Sequence, residues 1–145
     1  MHPHIHHFAH HLVLPNPVAL TLTMKQADQW GTLDQIEARR NFGFFMNRLN
    51  RKVYGNAFTR YGRRLGVVPV LERSPGGRLH YHASIENPYD DLPTFSEAVL
   101  ASWTKTRWGY HEVDVQRQFS SGWIDYILKS QDFDALDVEN LHTVC

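Results

Sequence analysis

"VLERSPGGRLHYHASIE", residues 70–86, is the stretch on which the fold turns. Two strand-like runs, "LGVVPVLER" and "RLHYHASIE", flank Ser74-Pro75-Gly76-Gly77, and apolar runs around a Gly/Pro turn are a hairpin signal. In "LHYHASI", Leu79, Tyr81, Ala83 and Ile85 point one way and His80, His82 and Ser84 the other, because side chains alternate along a strand. Two imidazoles on one face can hold a divalent metal, but they bind weakly unless a carboxylate joins them. The turn decides whether one does. A three-residue loop, Pro75-Gly76-Gly77, sets Glu72 opposite His80, on the histidine face. A two-residue loop pairs Glu72 with Leu79 and turns it to the other face. On the sequence alone both registers stay open, and the competing reading is a solvent-facing His-x-His with a cross-strand Glu–His pair.

Outward from the hairpin, "VALTLTM" (18–24) alternates, with Val18, Leu20, Leu22 and Met24 on one face and Ala19, Thr21 and Thr23 on the other: a half-buried strand. "TLDQIEARRNFGFFMNRLNRKVYG" reads as a helix with Thr32 as N-cap and Ile36, Phe42, Phe45, Met46 and Leu49 lining its buried side. "LPTFSEAVLASWTKT" reads as a helix opened by a Thr94/Glu97 capping box, and "YHEVDVQRQF" as a strand. "SSGWIDYILKSQ" reads as a short helix on which Tyr126 and Lys129, three apart, are surface neighbours away from the apolar stripe. The order of elements predicts an α+β domain, a mainly antiparallel central sheet with flanking helices. Three segments are expected: a His-rich start over 1–17, a folded domain over 18–131 and an acidic tail over 132–145.

Composition narrows the classes. The chain has 145 residues, 42% of them apolar, which suits one globular domain. No apolar run nears the roughly 20 residues of a membrane helix. The opening "MHPHIHHFAHHLVLPNP" has neither the basic residues nor the apolar stretch of a signal peptide. The single cysteine, Cys145, provides neither an internal disulfide nor a Cys-based zinc site, so a cytoplasmic setting is expected. Net charge is zero, yet Arg39 to Arg78 holds ten basic residues against one acid, Glu72. That imbalance suggests a polyanion partner for one face, with Arg39, Arg40, Arg48, Arg51 and Lys52 as candidate nucleic-acid contacts; a merely solvated helix is the alternative.

Three features, "ALTLT" on a first strand, "HYH" on the second strand of a hairpin and "YILK" on a later helix, stand in one order. Together they resemble the HUH endonuclease superfamily, most closely the rolling-circle replication initiators (Rep) and the Gp2-type replication proteins of filamentous phages. The resemblance implies a Rep-like fold with a ferredoxin-like or RRM-like core. It implies a divalent metal, Mg or Mn, held by His80, His82 and Glu72, with no small-molecule cofactor. The partner it implies is single-stranded or origin DNA, possible host replication proteins besides, and no membrane. Tyr126 would be the nucleophile that forms a 5′-phosphotyrosine bond, with Lys129 orienting the site or stabilising charge. A P-loop is absent, and one tyrosine rather than two occupies the third motif. Other readings are a DNA-binding accessory protein of the same fold without catalysis, and a single-tyrosine relaxase or transposase. A cupin, using Glu86 after the histidine pair, requires more strands than this chain supplies.

Overall fold

The computed structural model describes residues 14–118 and 135–143. In chain order its elements are β1 (Pro17–Met24), a small ribbon of β2 (Ala27–Asp28) and β3 (Gly31–Thr32), α1 (Gln35–Tyr54), α2 (Asn56–Tyr61), β4 (Val67–Arg73), β5 (Leu79–Glu86), α3 (Leu92–Thr104), β6 (Gly109–Arg117) and a 3-10 turn at Val138–Asn140. The expected α+β architecture is present. Four strands form one antiparallel sheet in the order β4-β5-β1-β6.

The sheet has one dry face. Val18, Leu20, Leu22 and Met24 of β1, Leu71 of β4 and Leu79, Tyr81, Ala83 and Ile85 of β5 are buried in one cluster with Phe42, Phe45, Met46 and Leu49 of α1 and Phe95, Val99 and Trp103 of α3. Aromatic packing knits the two layers. Phe42 stacks on Tyr81 with ring centroids 4.4 Å apart, and Phe45 meets Trp103 edge-on at 5.3 Å. Such pairs add a little beyond the area they bury. Both long helices therefore lie on the face of the sheet opposite to His80 and His82. Gly109 lets β6 pass close under the end of α3, where a Cβ would collide with the Trp103 carbonyl.

The hairpin between β4 and β5 has the three-residue loop. Ser74 N donates to Arg78 O at 2.9 Å and Gly77 N to Ser74 O at 2.8 Å. Gly77 takes φ of 88°, the left-handed region open to glycine at little steric cost. The pairing then runs Arg73↔Leu79, Glu72↔His80 and Val70↔His82. Pro69 sits in β4, the edge strand on this side, where its missing N–H breaks no ladder. Residues 135–143 run along that outer edge: Leu136 bridges to Val70 and His142 to Val67, and Asp137 N donates to Pro69 O. Tyr81 reaches the same segment from the core, its hydroxyl donating to Asp137 Oδ2 at 2.7 Å.

Helix ends differ from expectation. Asp34, not Thr32, caps α1 by accepting from Glu37 N at 2.8 Å, while Thr32 is used in the β3 pairing. Asp91, not Thr94, caps α3 and accepts from both the Thr94 N–H and its hydroxyl. A carboxylate at each N-cap also complements the helix dipole. Ile36, expected in the buried stripe, is 70% exposed in the first turn of α1. Among the described residues no helix is long and apolar enough to cross a membrane. The His-rich start and the helix expected over "SSGWIDYILKSQ", with Tyr126 and Lys129, lie outside the described residues.

Candidate metal centre

Strand alternation and the hairpin register bring Glu72, His80 and His82 to one spot on the open face of the sheet. Glu72 Oε2 lies 3.1 Å from His82 Nε2 and 3.5 Å from His80 Nε2. One donor atom from each residue lies within 4.8 Å of the other two. A divalent ion about 2.1 Å from each of two donors holds them about 3.0 to 3.4 Å apart at octahedral or tetrahedral angles, so these separations fit a shared ion. Two imidazoles and one carboxylate leave further coordination positions open. The three residues can therefore hold a metal ion.

The neighbouring strand orients the ligands. Thr21 is directly across from His82, and its hydroxyl lies 3.2 Å from His82 Nδ1. With Nε2 used as a ligand, the remaining ring proton sits on Nδ1 and is given to Thr21; an outer hydrogen bond of this kind fixes tautomer and ring angle. Thr23, across from His80, donates to the Glu112 carbonyl at 2.6 Å and ties β1 to β6 beneath the site. The Gln26 side chain grips both backbone groups of Leu79, donating to its oxygen at 2.9 Å and accepting from its N–H at 2.8 Å. It thereby fixes the strand end that carries His80. Burial, then the charge of His80, lower the His82 pKa below its usual value, and the Glu72 carboxylate opposes this without overcoming it. A neutral imidazole is the form that binds metal.

Tyr81, between the two histidines in sequence, belongs to the opposite face. Its hydroxyl is buried against Asp137, and burial followed by the Asp137 charge pushes its pKa far up, so it is no nucleophile for this site.

The basic residues of α1 are not gathered here. Arg48, Arg51 and Lys52 lie on the helical layer, where they line one cleft with residues of α3. Arg40 is paired with Glu37 at 3.3 Å. The Arg39 backbone carbonyl accepts from Asn140 in the segment along β4. A sequence cannot say which layer a helix joins, so charge alone did not separate these residues from the metal face. Sequence reasoning also missed Gln26. Its signal is faint: a polar residue two places past a strand that stays buried on one side to its end.

An antiparallel sheet backed by helices on one face, with a metal-competent His/His/Glu group on the other, defines the class. The family model for the replication-associated protein ORF2/Gp2 matches residues 17–131. The chain belongs to that family, whose role is in replication. No curated protein and no solved structure matches the chain.

Proposed function

We propose that this protein is a metal-dependent, single-tyrosine DNA nicking and joining enzyme that opens rolling-circle replication at an origin, acting in the cytoplasm on single-stranded DNA. The observation that carries the reading is Glu72 in register with His80 and His82, inside the region matched by a replication family. The ion would be Mn or Mg, and imidazole ligands favour Mn over the oxygen-seeking Mg. A divalent ion in this site supplies Lewis-acid polarisation of the scissile phosphate.

The chain supplies the rest. His80, His82 and Glu72 hold the ion, and Thr21 holds His82. Tyr126 Oη bonds to phosphorus as the P–O3′ bond breaks, leaving a 5′-phosphotyrosyl ester and a 3′-hydroxyl that takes up a proton. Lys129 lies beside the phenolate and offsets its charge. Connectivity supports this arrangement. Gln118, the last described residue of the domain before Tyr126, accepts from Ser84 at 2.7 Å on the His82 face. Leu136, soon after it, bridges to Val70, the cross-strand partner of His82. The segment bearing Tyr126 is thus tethered at both ends near the metal centre.

A labelled single-stranded oligonucleotide incubated with protein and Mn, then run on a denaturing gel, should give a covalent adduct. Tyr126→Phe should give none. Equal adduct from both proteins removes Tyr126 from its role.

A further inference from the structure

Between α1 and α3, on the far side of the sheet from the metal centre, lies a cleft of about 290 Å³ lined by Arg48, Arg51, Lys52, Ala101, Ser102 and Lys105. All four cations are exposed. None has an acidic or hydrogen-bonding partner among the described residues, whereas Arg40 and Arg107 of the same layer are held by Glu37 and Asp28. Arg48 and Lys52 stand one helical turn apart, where like charges repel. The cleft therefore keeps its charge at a cost in stability. Ser102 is only 4% exposed, and its hydroxyl makes no hydrogen bond among the described residues. Unpaired cations around an unused buried hydroxyl are the donor set of a phosphate site.

We propose that this cleft is a second nucleic-acid site, one that binds the phosphate backbone of duplex DNA without reading its sequence. The inference rests on the reading of the protein as DNA-handling, and it adds a surface separate from the nicking face. Duplex is favoured over single strand because no aromatic ring lines the cleft, and single-strand sites stack bases on aromatic side chains. Recognition by charge and hydroxyl alone is backbone recognition. With the sheet between the two sites, one chain can hold a duplex arm on its helices while its open face engages a single strand.

The test is fluorescence anisotropy of the full chain with a blunt 20-base-pair duplex, in EDTA, across a salt series. The wild type should bind, and the double variant Arg51→Ala/Lys105→Ala should bind at least tenfold more weakly at low salt. Its log affinity against log salt should be shallower by about 1.8, or about 0.9 for each cation removed. Both positions are exposed, and unchanged Mn binding by the variant verifies its fold. An unchanged affinity and slope, or a wild type that ignores duplex, overturns the proposal. A variant that keeps duplex binding but loses polyglutamate binding overturns it in favour of an acidic protein partner. The adduct assay on single-stranded DNA reads the other face, so failure there and failure here are distinguishable.

Discussion

Thr21 stands behind His82, and its hydroxyl is the group that sets the imidazole's angle. Thr21→Val keeps the shape and the β-branched strand preference but removes the hydrogen bond. Mn affinity should fall by about 10- to 100-fold, the usual cost of losing an outer partner of a ligand, with the melting temperature little changed; calorimetric titration measures it. His82 also gives the site its pH response. Its pKa is lowered from the ordinary 6.5, chiefly by burial. The neutral, metal-binding form therefore persists below pH 6.5, and this ligand is lost only as pH falls through the lowered value. The sign for stability follows the same way. In the metal-free protein the unfolded chain takes up this proton first, so the contribution of His82 is present above pH 6.5 and is lost as acid is added. An imidazole titration by NMR should place His82 below 6.5; a value above it contradicts the burial argument.

At the scale of elements, the hairpin and β1 were legible because period-two alternation is strong in "VALTLTM" and "LHYHASI". The loop left two registers, and the Ser74–Arg78 bond selects the one that gathers Glu72, His80 and His82. The caps were less legible. Thr32 and Asp34 are both good N-cap residues two places apart, and only the β2–β3 ribbon, too short to show a pattern, decides between them. Gln26 is the least visible positioning residue, because a side chain that imitates a backbone partner leaves no periodic trace. Gln26→Ala removes both grips on Leu79 and leaves its backbone groups unpaired. It should cost about 1–3 kcal/mol, read as a lower denaturant midpoint with unchanged slope.

At the scale of the whole molecule, the division of labour is between two faces of one sheet. Apolar positions on β1, β4 and β5 bury α1 and α3, so every alternate residue is left for the open face, and the metal centre is built from that remainder. The sequence carries the alternation but not the side on which a helix docks. For that reason the basic run from Arg39 onward suggested one DNA-binding surface, whereas Arg48, Arg51 and Lys52 lie across the sheet from His80. The segment 135–143 was illegible for another reason: its pairing with β4 spans about half the chain, beyond any local signal. The central claim is that Glu72, His80 and His82 form a metal centre that cleaves single-stranded DNA. Its most direct test is cleavage of a labelled single strand by wild type and His80→Ala, in Mn and in EDTA, with binding followed in parallel. The account predicts cleavage by wild type in Mn alone, and none by His80→Ala although it still binds the strand; cleavage that survives EDTA or the loss of His80 would contradict it.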